Sequence, residues 1–265
     1  MPEQNEKTSV QDTQVILSAF EAPKPGMKDA GELDAALLQN PGDPENWLKK
    51  GHSLAREMKF REAIAAYSLG LCQDPFHALL LRFRGHRYLS VRFFQQGAAD
   101  LELSSRLNAE NWDTWYHLGL AYYLLGDYAR AEAAYEACLP LTPATNDPTL
   151  WPAITAWLWR TKIKLGKAEE AKGLLLEVDP AFDAGENQFY QNCVCVYAGY
   201  AKPEILKAAS DGISAATQGY GLCVYYESIN DEKMAQETRQ WVLENGYWAA
   251  FGFLAAEADA ARAKA

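Results

Sequence analysis

The sequence predicts an all-α fold, a single solenoid of stacked helix hairpins, and three observations carry that expectation. Within WDTWYHLGLAYYLLGDYARAEAAYEACLPLTP, residues 112–143, Trp115, Leu118, Gly119 and Tyr122 are followed by Ala131, Tyr135 and Pro143. The same pattern returns when the chain is read back in steps of about 34 residues, the mark of a repeat architecture. The apolar fraction is 49% with eight tryptophans, ample for a long core in a chain of 265 residues. The spacing has a mechanical meaning: Trp115, Leu118 and Tyr122 form one apolar face of a first helix. Gly119 has no Cβ to hold a second helix away. Leu125, Gly126 and Asp127 supply the turn, Ala131 is small at the crossing, and Pro143 is expected to end the second helix.

The elements follow in chain order. Residues 1–9 are polar and expected to be disordered. A degenerate cap over 10–43 keeps Leu17, Phe20, Leu33, Ala36 and Pro41 in register, but the breaker Ala22-Pro23-Lys24-Pro25-Gly26 leaves one proper helix near 28–40. Repeat 44–77 places Trp47, Gly51, Leu54, Ala63, Tyr67 and Pro75, with Lys50 in place of leucine. Repeat 78–111 keeps Leu81, Gly85, Tyr88 and Leu101, while Arg84, Gly97 and Ala109 depart from the pattern. Repeat 112–145 is the clearest. Irregular repeats fill 150–215: a helix near 150–165 with Trp151, Trp157 and Trp159, a second Leu165-Gly166-Lys167 turn, Ala171 and Leu175, then helices near 189–200 and 203–208. A last repeat over 216–247 has Leu222, Tyr226, Ala235 and Trp241, with Ile229-Asn230-Asp231 as its turn. The stretch 248–264 reads as a capping helix, apolar first and polar later. A helix pair cannot shield its own apolar face, so 10–265 is expected to form one continuous stack.

Residues 44–143 resemble tetratricopeptide repeat (TPR) proteins, and the C-terminal half resembles a group of bacterial TPR proteins of unassigned function. The latter likeness rests on Leu165-Gly166-Lys167 with Glu169-Glu170-Ala171, on Glu186-Asn187, on Gly219-Tyr220-Gly221 and on Trp248-Ala-Ala-Phe-Gly. The resemblance implies a right-handed α-α superhelix without catalysis, used as a protein-binding adaptor. TPR chaperone cofactors grip a C-terminal carboxylate with lysine and asparagine on the inner helices. Here Leu48, His52 and His86 stand at those places, so that clamp is absent.

The resemblance also implies which residues face a concave groove: Leu48, His52 and neighbouring Arg56, then Arg82 and His86, then Tyr116, Leu120 and Tyr123, then Trp157 and Arg160. Arginine and aromatic side chains are common anchors of binding sites. These residues suit an acidic and apolar segment of another protein, Arg82 and Arg160 pairing with its carboxylates. A second reading is a small-ligand or metal sensor using His52, His86 and His117, since His52 and His86 hold equivalent positions; cofactor-free protein is the primary expectation. A third is self-assembly, a possible homodimer, through Trp248, Phe251, Phe253 and Leu254. Cys193 and Cys195, with Cys72, Cys138 and Cys223, read as buried small hydrophobes in a reducing compartment. Glu186 and Asn187 read as helix caps.

A net charge of −10 argues against a phosphate-tracking nucleic-acid surface. The first twenty residues have neither a basic start nor an apolar run, and no stretch of about 18 apolar residues exists, so the expectation is a cytoplasmic protein. Gly219-Tyr220-Gly221 lacks the phosphate-binding fingerprint, and no nucleophile elbow or zinc-binding helix pair appears, so catalysis is not expected.

Overall fold

The computed structural model describes residues 30–264, with side chains from residue 34 onward. The expectations for the loose N-terminus, for Leu17 and Phe20, and for the side chain of Leu33 lie outside the described residues. The chain falls into two compact units, Met1–Pro75 and Phe76–Ala265. The described residues of both are helical and built of helix hairpins.

In the first unit, α1 (Ala30–Gln39) packs on α2 (Pro44–Arg56), which forms a hairpin with α3 (Phe60–Gln73). The start of α2 is dictated locally: Asp43 accepts a hydrogen bond from the Glu45 amide, and Pro44 holds the first helical position, where no amide donor is required. A Cβ on Gly51 would stand 2.1 Å from a carbon of the Tyr67 ring, so glycine is what lets α3 lie on α2. Trp47, the large residue that opens the repeat pattern, donates its indole N–H to the Pro41 carbonyl at 2.8 Å and so ties down the incoming loop. Trp115 does the same for the Ala109 carbonyl in the second unit.

The second unit begins with three hairpins or hairpin-like pairs. These are α4 (Ala78–Ser90) with α5 (Phe94–Leu107), α6 (Trp112–Leu125) with α7 (Tyr128–Cys138), and α8 (Leu150–Lys164) with the short α9 (Ala168–Gly173). Then come α10 (Gln188–Tyr197), α11 (Gly212–Ser228), α12 (Glu232–Asn245) and α13 (Phe251–Arg262). Asn111, Asp127 and Asp231 cap α6, α7 and α12, and Asp211 with Ser214 forms a full capping box on α11. The hairpin turns each place one residue in the left-handed region: Met58 (φ 59°), Arg92 (φ 68°), Gly126 (φ 79°), Gly166 (φ 73°) and Asn230 (φ 58°).

Several local expectations are revised. Gly97, which departs from the repeat pattern, faces Gly85: a Cβ on either would come within 3.0 to 3.1 Å of the other's carbonyl oxygen, so α4 and α5 approach backbone to backbone. Pro143 does not end α7. That helix stops at Cys138 and continues as a 3-10 segment, Leu139–Thr145, which contains Pro143. Residues 203–207 are also 3-10 rather than α-helix, because Pro203 opens the segment and only a short run follows. Glu186 and Asn187 sit in a 3-10 turn and give α10 no side-chain cap; Gln188 instead accepts from the Ala184 amide. Cys72 is exposed near the C-terminal end of α3, whereas the other four thiols are buried.

The final helix is integral to the second unit. Gly252 lies so close to α11 that a Cβ there would stand 2.1 Å from the Ala216 carbonyl oxygen. Backbone cannot move aside as a side chain can. Gly252→Ala is therefore expected to destabilise the protein by about 1–3 kcal/mol, against the roughly 1 kcal/mol that alanine gains in helix propensity. A urea midpoint equal to or above wild type would refute this packing.

Candidate functional site

The helices expected to line a concave groove are α2 in the first unit and α4, α6 and α8 in the second. On α2, Leu48 is buried, while His52 and Arg56 are half-buried, and His52 meets the Tyr67 ring edge-on at 5.9 Å. Lys49 is exposed beside them. Residues 49, 52 and 56 stand at offsets 0, 3 and 7, so they share one basic face of the helix.

In the second unit the corresponding side chains are enclosed. Tyr116, Leu120, Tyr123 and Trp157 are buried, and Arg160 is 0% exposed. Tyr123 meets Trp157 and Tyr220 edge-on, with centroids 5.2 and 6.1 Å apart. The Tyr123 and Tyr220 hydroxyls lie 2.7 Å apart, and Tyr220 donates to Asp259 at 2.9 Å. Asp259 also takes Lys164 at 3.0 Å, while Arg262 donates to the Leu124 carbonyl at 2.8 Å. Burial pushes the Asp259 carboxyl up, but Lys164 and Arg262 more than offset it and hold it below its ordinary value. Helix α13 and its partners α11 and α12 thus fill the inner face of this unit. The open groove expected at Tyr116, Leu120, Tyr123, Trp157 and Arg160 is core instead.

Arg160 is held without a carboxylate. Its Nε donates to the Tyr197 hydroxyl at 3.0 Å, and its Nη2 reaches Cys193 Sγ and the Thr217 carbonyl, each at 3.4 Å. Its guanidinium faces the rings of Trp157, Tyr190 and Tyr220 at 4.7 to 5.8 Å. Arg82 is likewise spent internally: it pairs with Asp113 and lies 3.2 Å from His117 Nδ1. Neither arginine is placed to meet a partner's carboxylate, because each is already buried among groups of its own unit. The Gly219-Tyr220-Gly221 motif is mid-helix in α11, where the glycines admit Trp241 on one side and Cys193, Tyr197 and Arg160 on the other.

His86 and His117 do converge, with ring centroids 4.2 Å apart and Phe251 packed against both. One nitrogen of each ring is engaged: His86 Nε2 contacts Arg87, and His117 Nδ1 lies 2.8 Å from the Asp113 carbonyl and 3.1 Å from its carboxylate. Two guanidinium groups beside the rings make a poor seat for a cation. Among the described residues no group of three or more His, Cys, Asp or Glu is placed to hold a metal ion. His52 lies in the first unit. Trp248, Phe251 and Phe253 are half-buried and Leu254 fully so, with Arg92 over the Trp248 and Phe253 rings. Much of the apolar surface expected to serve self-assembly is thus covered from within. No helix among the described residues is long and apolar enough to cross a membrane.

The elements define a helical-repeat fold of stacked hairpins. Residues 112–143 match the family model described as tetratricopeptide repeat, so the chain carries that repeat. Human tetratricopeptide repeat protein 33 is 26% identical over 122 residues, 46% of this chain and 46% of that protein. Human RNA polymerase II-associated protein 3 is 29% identical over 103 residues, 37% of this chain and 16% of that protein. The matched stretch therefore spans less than half of either relative. Two solved structures share the fold. One is a tetratricopeptide repeat protein from Parabacteroides merdae (18% identity, 92% of this chain and 99% of that one, TM-score 0.54). The other is YrrB, described as a TPR protein with an unusual peptide-binding site (16% identity, 88% and 98%, TM-score 0.51).

The buried histidine pair gives the second unit a pH signature. Burial, then neighbouring charge, pushes His86 well below the ordinary 6.5 and His117 below it too. The unfolded chain takes up these protons near pH 6.5 and the folded chain resists, so stability is full above that value and falls as pH drops below it. The loss is at most about 1.4 kcal/mol per pH unit for each ring. Asp113 does not share this window. Burial raises it, but Arg82 and His117 hold its carboxyl far below the carboxylate range, so its contribution persists to lower pH. The urea midpoint should drop between about pH 7.5 and 5.5, and His86→Gln should flatten that slope. A flat wild-type profile would contradict the neutral pair.

Proposed function

We propose that this protein is a non-enzymatic scaffold that holds a segment of another protein, and that acidic and apolar residues of that segment meet the inner helix of the first unit. The observation that carries this reading is the basic face of α2, where Lys49, His52 and Arg56 stand in line with Lys49 exposed and the others half-buried. Ala55 beside them, half-buried, offers apolar area. The tetratricopeptide repeat at 112–143 and the likeness to a peptide-binding TPR structure support an interaction role. Carboxylate pairing, assigned from sequence to Arg82 and Arg160, passes to the exposed Lys49, because the former two are buried with internal partners. Five unpaired thiols fit work in a reducing, cytoplasmic setting.

Exposed charges act through a screened field, so capture should weaken as salt rises from about 0.05 to 0.5 M. A panel of acidic–apolar peptides should bind wild type about tenfold more tightly than Lys49→Glu, a loss of about 1.4 kcal/mol. Both proteins should show the same helical circular dichroism, since Lys49 is exposed. Equal affinity for the two proteins would remove α2 from the binding surface.

A further inference from the structure

The irregular stretches of the second unit enclose a cleft of about 490 Å³ that no repeat position predicts. One wall is the 3-10 segment after α7 and the loop that follows, with Thr142, Pro143, Asn146, Asp147 and Pro148. Trp151 enters from the first turn of α8, and Glu177, Asp179 and Phe182 come from the loop after α9. Gln191, on α10, closes the floor. The volume falls in the range of small-ligand sites.

The lining is chemically one-sided. It holds three exposed carboxylates, two half-buried aromatic rings and two prolines, and no lysine, arginine or histidine. Among the described residues, none of the three carboxylates takes part in an ion pair. The Asp147 carboxylate accepts from the Thr149 amide and hydroxyl, and the Asp179 carboxylate from the Ala181 amide.

The floor supplies an independent sign of a missing partner. Gln191 is 1% exposed, and its Oε1 has no hydrogen-bond donor. Its orientation is fixed by the network, because Nε2 donates to the Asp179 carbonyl at 2.8 Å, a bond that Oε1 could not make. A buried acceptor left unmatched is costly, so a donor brought to this point would relieve that cost.

We propose that this cleft binds an organic cation, a guanidinium or ammonium group on an apolar stem. The carboxylates of Asp147, Glu177 and Asp179 surround the charge, Trp151 and Phe182 pack on the stem, and Gln191 Oε1 accepts a hydrogen bond from the cationic head. Rings facing a cation add attraction beyond the ion pairs, and the net charge of −10 draws such a ligand in. The assignment is independent of the α2 surface, since every lining residue belongs to the second unit.

Isothermal titration of the full chain tests it with three probes: an acetylated and amidated Gly-Arg-Gly peptide, its citrulline counterpart, and spermidine. The arginine peptide or spermidine should bind with a dissociation constant between about 1 μM and 1 mM, and citrulline at least about tenfold more weakly. Asp147→Asn/Asp179→Asn should weaken the cation about tenfold or more with an unchanged melting temperature, because an amide keeps the acceptor oxygen that each loop uses. If that pair perturbs the loops, Asp147→Asn/Glu177→Gln carries the same expectation. Preference for the peptide identifies a partner's basic side chain as the source, and preference for spermidine identifies a free amine. No binding of either cation at about 10 mM, equal binding of citrulline, or undiminished binding by a folded carboxamide variant would overturn the proposal.

Discussion

The architecture of the second unit depends on one buried carboxylate. Asp259, 7% exposed, sits where α13 meets the inner helices and gathers the Tyr220 hydroxyl, the Lys164 ammonium and the Arg262 guanidinium. A carboxylate so enclosed is costly unless every lone pair is used. Here the cost is met by two cations and a phenol that itself hydrogen-bonds Tyr123 on α6. The same groups therefore decide both where the last helix lies and whether the inner face is open. Lys164 reaches Glu227 as well, at 2.6 Å, which carries the network onto α11.

The helices were legible in the sequence because their cause is local and periodic. Gly51 and Gly119 stand where a ring from the paired helix must lie, Asp43, Asn111 and Asp127 stand where amides need acceptors, and these residues repeat with the structure. The site was less legible. Register says that Tyr123, Trp157 and Arg160 point inward, but not whether inward means solvent or another helix. That depended on contacts across long separations, such as Arg92 with Glu257 and Arg262 with the Leu124 carbonyl. Asp259 was hidden for a related reason: in AAEADAARAK it reads as part of a solvated end. Only the neighbours that packing brings reveal it as buried.

The stretches that break the repeat carry the chemistry the repeat lacks. Residues 139–149 and 174–187 give up regular helix for 3-10 turns and loops. Backbone outside regular helix needs other partners, and Asp147, Asp179 and Asp183 serve nearby amides there. The same irregularity opens a concave surface between rigid elements, which is where scaffolds commonly place specificity. The regular hairpins of this unit, by contrast, spend their aromatic and basic residues on one another.

The interior position of α13 bears on how the chain acquires its fold during synthesis. Arg262 bonds a carbonyl 138 positions earlier, and Arg92 joins Glu257 across 165. A growing chain emerges in order, so α4 to α8 leave the ribosome with their aromatic inner faces bare until α11 to α13 follow. That interval leaves Tyr123 and Trp157 uncovered, and long loop closure makes its end slow. Chaperone protection during this window would then matter more to the yield of native protein than the thermodynamic stability of any one hairpin.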